Sequence, residues 1–490
     1  MKIHVCVLLS LLLFLALGCA GDDDDSAPVP PDDDADDDDM SDDDADDDAD
    51  DDTWPPLPDD DADDDADDDT TPVLPPPILD EAGRTLILHG GNFMAVGYGG
   101  APIDYERMRD WGFNVVRILM TWAALEPTRG DYDEAYLPDV VEPQVEYAAN
   151  AGLRVILDLH HFHWSSCSGG MGWPDWTCET PPDWVPADLE YLWQSGKFWE
   201  RPDDVAAFVA AWEQVATHFA GDARVFAYDL FNEPLAGIRT PPWLSENQLM
   251  RPLYADTIEA IRAIDPAPYI ALEPMMLSVV GFPFVMEPLP YDRLIYAPHL
   301  YPRNIVSGDG YNFDRHVLEW QTAQRAGESA GHGMPLLWGE TGLQSAATRA
   351  SEYARDFADL ADVSLASWAW WAFGYDDDSM GLCRADGTPK DEFFPHLARP
   401  YPRVTGGQLR EFAFDAATGT LTVTFDTIAG IDPTLEIFVD DEYFYAGGFD
   451  VTSTDADDTW SYSFDDDANS LTMSADPLAD SHTIWIEPAI

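Results

Sequence analysis

The chain has 490 residues, with 94 acidic against 24 basic side chains and a formal net charge of −70. That length accommodates one large domain and a smaller one beside it. The charge excludes nucleic acid and anionic lipid headgroups as partners, since a polyanion is repelled by both.

Residues 1–19 read as a segment outside the fold. Lys2 precedes an apolar run, Val5 to Leu17, too short to span a bilayer and typical of a secretory signal. Its end, Leu15-Ala-Leu-Gly-Cys19, resembles the bacterial lipobox. The resemblance implies cleavage before Cys19, lipidation of its thiol, and an exported protein held at the cell envelope through lipid. The alternative is an ordinary signal peptide and secretion. No later window is long and apolar enough to cross a membrane.

Residues 20–77 read as a disordered Asp-rich linker. Between 22 and 69 an Asp-Asp-Asp-Ala unit recurs, with 29 aspartates and no basic residue, leaving −41 of the charge to the rest. Such a segment cannot bury enough apolar surface to fold and is extended by self-repulsion. Calcium-binding repeats need glycines to loop the chain, and these are absent. A spacer that holds the folded part off a membrane is the better reading.

From Thr85 onward, short apolar runs alternate with helical patterns, as in successive βα units. The predicted strands are Thr85–His89, Asn114–Leu119, Arg154–Leu159, Val225–Phe231, Tyr269–Leu272, Leu294–Ala297, Pro335–Gly339 and Leu365–Trp370. Helical patterns fall between them, as over Pro202–Phe219 and Met250–Ile264, and several end at glycine, as at Trp111-Gly112. Eight strands between residues 78 and 400 predict an α/β fold, a (β/α)8 TIM barrel with long top loops. A doubly wound open sheet is the competing fold, but no glycine-rich phosphate fingerprint follows any strand. Over 401–490 the pattern becomes alternating strands with tight turns: Leu409–Phe414, Thr420–Phe425, Thr434–Val439, Trp460–Phe464, Ser470–Met473 and His482–Ile486. That predicts a small C-terminal antiparallel β-sandwich.

Five cysteines are present. Cys6 leaves with the signal and Cys19 is the lipidation candidate. Cys167 and Cys178 share one Gly/Trp/Pro-rich loop and, in an exported chain, are expected to form a disulfide. Cys383 is left over. No second close pair exists to build a zinc site, and no metal or other cofactor is expected.

Functional side chains gather just past the strand ends. Asn232 and Glu233 follow the fourth strand, with Pro234 stopping it. Glu340 ends the seventh. Arg117 lies in the second strand, His160 and His161 follow the third, His299 and Tyr301 the sixth, and Trp370 and Trp371 end the eighth. Carboxylates at the tips of the fourth and seventh strands face each other across the mouth of a barrel, where such folds do chemistry. Retaining hydrolysis of a glycosidic bond needs that pair, about 5–5.5 Å apart, one carboxyl donating a proton and the other attacking the anomeric carbon. Glu233 is the candidate acid/base, its pKa expected to rise with burial and the second carboxylate. Glu340 is the candidate nucleophile, kept ionised by Arg117 and the Tyr301 hydroxyl. Asn232 is placed to bond a sugar 2-hydroxyl. Glu273, ending the fifth strand, supports the site rather than attacking.

The stretches Phe113-Asn-Val-Val-Arg117, Asp158-Leu-His160, Asn232-Glu233-Pro234, His299-Leu-Tyr301, Gly339-Glu340 and Trp368-Ala-Trp-Trp371 resemble the motifs of family five glycoside hydrolases. Three further stretches are similar to endoglycoceramidases, which release intact glycans from ceramide. These are Glu126-Pro-Thr-Arg-Gly-Asp-Tyr-Asp133, Ile261 to Pro266 leading to Leu272-Glu273-Pro274, and Arg399-Pro-Tyr-Pro-Arg403. The resemblance covers residues from about 84 to 490. It implies a monomeric retaining β-glycosidase acting on a glycolipid or oligosaccharide. One departure stands out: those enzymes read Asp-x-His-Gln-Asp where this chain has Asp158-Leu-His160-His161-Phe162. The Gln and Asp help recognise the sugar there, so the change bears on which glycan is accepted.

Other readings stay in view. Trp371 is a candidate sugar floor, and Trp173, Trp176, Trp184, Trp193 and Trp199 either line an apolar groove or form the core of a long loop. The adjacent His160 and His161 are read as sugar or nucleophile contacts before metal ligands. Asp376–Asp378 reads as a solvated loop. A polysaccharide endoglycosidase acting on β-glucan or mannan is the alternative function, and a non-catalytic carbohydrate-binding lipoprotein a third.

Overall fold

The structure is a computed structural model describing residues 73–94, 100–237, 240–306, 308–312, 315–440 and 443–489. Cys19, the apolar run before it and the Asp-rich repeats lie outside the described residues. Two short strands open the described chain, β1 (Ile78–Leu79) and β2 (Thr85–Leu86). The barrel follows as β3 (His89–Met94), β4 (Val115–Met120), β5 (Arg154–Leu159), β6 (Val225–Asp229), β7 (Tyr269–Leu272), β8 (Leu294–Tyr296), β9 (His299–Leu300), β10 (Leu337–Thr341) and β11 (Ser367–Trp370). All pair in parallel in the order β8-β7-β6-β5-β4-β3-β11-β10-β9. β8 and β9 are two halves of the sixth barrel strand, broken at Pro298, which has no N–H to give a ladder. The first half pairs with β7 and meets Leu336 through Tyr296, while the second pairs with β10, so the sheet closes. Strands such as Val-Val-Arg-Ile-Leu-Met are buried along their whole length, as expected of a parallel sheet covered on both faces.

The first barrel strand differs from the predicted Thr85–His89. It begins at His89 and runs through Gly90-Gly91, which in the sequence look like a stop. A Cβ on Gly90 would meet the Val115 carbonyl oxygen at 1.8 Å, so these glycines mark close approach of two backbones and not a turn. Thr85–Leu86 instead pairs with Ile78–Leu79 on one side and with β12 (Tyr401–Thr405) on the other. The hairpin assigned to the barrel from residue 78 thus belongs to a sheet of the second domain.

That domain is a sandwich of a six-stranded and a four-stranded antiparallel sheet. Its remaining strands are β13 (Gln408–Asp415), β14 (Thr420–Asp426), β15 (Thr434–Phe438), β16 (Phe449–Ser453), β17 (Ser461–Asp465), β18 (Ser470–Ser474) and β19 (Ser481–Pro488). In Thr-Leu-Thr-Val-Thr-Phe-Asp every second residue is buried, and Leu421, Val423 and Phe425 join a core with Phe412, Ile437, Leu471 and Ile484. Within 401–490 two strands escaped the sequence reading: β12, because Pro402 demotes it, and β16, whose alternation is carried by Phe449 and Val451 alone, both only half-buried. The barrel and the sandwich belong to one compact unit. At their junction His89 lies between the Trp368 and Tyr401 rings, at 4.5 and 3.8 Å, and the Tyr401 hydroxyl donates to the Gly112 carbonyl at 2.8 Å.

Candidate active site

Arg117, wholly buried in β4, organises the mouth. Its Nη1 donates to Glu340 Oε1 at 2.9 Å and to Asn92 Oδ1 at 3.0 Å. Nη2 donates to Glu273 Oε1 at 2.8 Å and Asn232 Oδ1 at 2.9 Å and faces Asp158 Oδ1 at 2.9 Å, while Nε donates to Asp229 Oδ2 at 2.9 Å. Strand register does this work: Asn92 sits beside Arg117, and Asp158 beside Asp229. Such a guanidinium fork gives each carboxylate a directed, charge-assisted bond.

Glu340 comes from β10, where its register partner is His299 of β9. Besides Arg117 it accepts from the Tyr301 hydroxyl at 3.2 Å, and His299 Nδ1 lies 3.6 Å from its Oε2. Glu233 stands on the turn after β6, its Oε1 3.0 Å from His299 Nδ1. An oxygen of Glu233, an oxygen of Glu340 and a nitrogen of His299 all lie within 4.8 Å of one another. The two glutamates predicted to work together are therefore brought to attack distance. Asn232 donates through Nδ2 to the His161 carbonyl at 3.0 Å, which fixes its amide at the bottom of the site. His160 pairs with Asp158 Oδ2 at 2.8 Å and stacks on Trp371 at 5.3 Å, making one wall.

Some residues fall elsewhere. His161 turns away, with its ring edge-on to Trp164, Trp173 and Phe231, and burial pushes its pKa down to about 3. Among the tryptophans both readings hold, residue by residue. Trp173 is core, stacked 4.1 Å from Trp164, whereas Trp184 is 61% exposed. The Cys167–Cys178 disulfide closes the stretch that carries Trp173 and Trp176, while Trp193 and Trp199 lie on the helix Glu190–Trp199. Glu126, part of one subfamily stretch, is buried and binds Trp122 Nε1 at 2.7 Å and the Gly130 N–H at 2.6 Å, so it shapes the loop after β4. Asn92 and Asp229 were missed as functional residues. Asn92 lies beyond His89, where the predicted first strand ends, and Asp229 is one polar residue in an apolar run. A carboxylate inside such a run is the signal that was available.

The electrostatics correct one expectation. Glu233 is not raised: burial pushes it up, but the hydrogen bond and charge of His299 outweigh that and hold it below the usual range. Burial also opposes the charge on His299, yet Glu273, Glu340 and Glu233 raise it well above an ordinary imidazole. Burial pushes Glu340 up, with His299 and Arg117 opposing. The balance of proton affinity thus shifts toward His299, one hydrogen bond from the acid/base. Glu340 retains two donors whichever group carries the proton.

Two triads of closely spaced donors have the composition of cation sites, Glu233–His299–Glu340 and Asp158–Asp229–Glu273. In the second, the Arg117 guanidinium already occupies the centre. Even so, burial pushes Asp158 up to about 8 and Asp229 to about 6 against the pull of Arg117. A folded-state carboxyl raised above its unfolded value of about 3.9 stabilises fully below that pH, and the gain is lost as pH rises toward the folded value. Asp158→Asn is therefore expected to lose less melting temperature than the wild type between pH 5 and pH 8. Parallel melting curves across that window would contradict the protonated Asp158.

A closed (β/α)8 barrel with an acid/base and a nucleophile across its mouth is the architecture of a retaining glycosidase. Residues 88–377 match the model for cellulase (glycosyl hydrolase family 5), and residues 399–487 that for the glycoside hydrolase family 5 C-terminal domain. The chain belongs to glycosyl hydrolase family 5. It is 28% identical to endoglycoceramidase I of Rhodococcus hoagii, over 76% of this chain and 80% of that protein. It is 25% identical to an endoglycoceramidase of Cyanea nozakii, over 78% and 86%. Among solved structures it is similar to endo-glycoceramidase II from Rhodococcus sp. in its ganglioside GM3 complex, with a TM-score of 0.74, 26% identity, and 85% and 100% of the two chains covered.

Proposed function

We propose that this enzyme cleaves the β-glycosidic bond between glycan and ceramide in glycosphingolipids and releases the glycan intact. What carries this reading is the span of the similarity. The matches to the two endoglycoceramidases cover more than three quarters of the chain, whereas the match to a cellulase/esterase of Acetivibrio thermocellus covers 26%. The loop after β5 adds support. Phe162, 39% exposed, stacks on His163, which stacks on Tyr191, and Trp184 leans on Trp193. Phe162 and Trp184 thus present apolar surface, and the helix Glu190–Trp199, which carries Tyr191 and Trp193, is tied to the segment just after Glu233 by the Trp199 Nε1 bond to the Leu235 carbonyl at 2.7 Å.

The mechanism follows from the site. Glu233, receiving the proton that His299 holds at 3.0 Å, donates it to the leaving ceramide oxygen. Glu340 attacks the anomeric carbon, aimed by Arg117 and Tyr301, and a glycosyl-enzyme forms. Glu233, now ionised, takes a proton from water, which attacks from the face the ceramide oxygen left and displaces Glu340. Two inversions give net retention, so the β anomer appears first. Early-time proton NMR of glycan released from lactosylceramide checks this, and an initial α product would exclude direct attack by Glu340. Offered lactosylceramide, a ganglioside and a soluble β-glucan, the enzyme is expected to act on the first two. Turnover of the glucan alone would move the assignment to a polysaccharide substrate.

A further inference from the structure

Glu273 makes contacts that a passive neighbour would not. Glu233 has a positive φ of 42°, a left-handed backbone state that residues with a side chain leave unless held. Its N–H donates to Glu273 Oε2 at 2.6 Å, a short bond to a buried carboxylate. The other oxygen, Oε1, lies 3.3 Å from His299 Nε2, and the opposite ring nitrogen of that imidazole contacts Glu233. One carboxylate therefore grips the acid/base twice, through its main chain and through its proton partner. The same segment holds the next residue too, since the Met276 N–H donates to the Pro234 carbonyl at 3.0 Å.

We propose that Glu273 is the positioning residue of the acid/base: it fixes the left-handed turn at Glu233 and presents the His299 proton to the Glu233 carboxyl. Its role falls on the acid and not on the nucleophile. Arg117, which Glu273 also touches, keeps bonds to Asn92, Asp158, Asp229, Asn232 and Glu340 when Glu273 is removed. Glu233 has no such redundancy: its N–H is held by Glu273, and its carboxyl meets His299. His299 faces Glu233, Glu273 and Glu340 at 3.0, 3.3 and 3.6 Å, with Arg117, Asp158, Asp229, His160 and the Tyr301 hydroxyl around them. Removing one negative charge from that group lowers its affinity for protons.

The inference rests on the double-displacement reading, and leaving-group dependence tests it separately. The full-length enzyme and its Glu273→Gln and Glu273→Ala variants are assayed on aryl β-lactosides or β-cellobiosides, whichever the unmodified enzyme turns over. The sugar preferred by the wild type bears on the glycan; the ratio between leaving groups on one sugar bears on Glu273. A 2,4-dinitrophenolate departs without a proton, whereas phenolate needs the acid. For Glu273→Ala, kcat/KM on the phenyl glycoside is expected to fall ~100-fold or more, within the range of general acid catalysis, and that on the dinitrophenyl glycoside less than about tenfold. Glu273→Gln, which keeps an acceptor for the Glu233 N–H but loses the charge, is expected to lie between and to move the alkaline limb of the phenyl glycoside profile to lower pH. Both substrates falling by the same factor, or an unmoved limb, would make Glu273 a structural residue only. Thermal unfolding separates misfolding from either outcome, and relief of repulsion among the buried carboxylates predicts no loss of stability in Glu273→Gln.

Discussion

Glu340→Gln should leave a folded enzyme with essentially no turnover, kcat/KM falling by ~10⁴-fold or more. The amide keeps the shape of the side chain, and its oxygen still accepts from Arg117 Nη1, which the native carboxylate meets at 2.9 Å. What disappears is the charge that forms the bond to the anomeric carbon. Without the covalent intermediate the reaction must proceed through a water for which the site has no room, since the Glu233 and Glu340 oxygens lie within 4.8 Å. Several kcal/mol of barrier then return, about 1.4 kcal/mol for each tenfold. Steady-state hydrolysis of an aryl glycoside reads this directly, and mass spectrometry of the quenched enzyme should show no glycosyl adduct. Residual activity above about a tenth would mean another residue attacks.

Arg117→Met is expected to cost stability as well as activity. Met fills much of the same volume, but it leaves Asp158, Asp229, Glu273 and Glu340, each within 2.9 Å of the guanidinium, without their cation. Removing one partner of a buried ion cluster costs about 3–5 kcal/mol. The loss should depend on pH. Without Arg117 the folded carboxyls rise further above their unfolded values, so the variant is most disadvantaged at pH 7 and recovers as these groups take up protons toward pH 4. Urea unfolding at both values checks it. An equal deficit at pH 4 and pH 7 would mean lost packing and not uncompensated charge.

Much of this site could be read from the chain because catalytic chemistry sits at strand ends, where an apolar run stops at a polar pair such as Asn232-Glu233. What could not be read depended on register and on crowding. Asn92 joins Arg117 only because β3 continues through two glycines. The lowered pKa of Glu233 depends on His299, brought beside Glu340 by pairing across a strand broken at proline. No local pattern announces either. The first strand was misplaced for a related reason: Thr85–Leu86 has the residues of a barrel strand, and its partner lies more than 300 residues away. The tryptophans of the loop after β5 divide between core and surface by packing alone, which spacing in a loop does not encode.

The pairing of Leu86 with Val404 has a consequence for biosynthesis. A chain made from its amino terminus displays β1 and β2 as an open hairpin edge throughout production of the whole barrel. Only when β12 leaves the ribosome can that edge be covered, and the six-stranded sheet then closes last, like a clasp. Long-range pairing of this kind is slow, and a bare edge invites pairing with other chains. Truncation shortly before Tyr401 would therefore yield a barrel with every catalytic residue in place and a sticky margin that nothing in the product can cover.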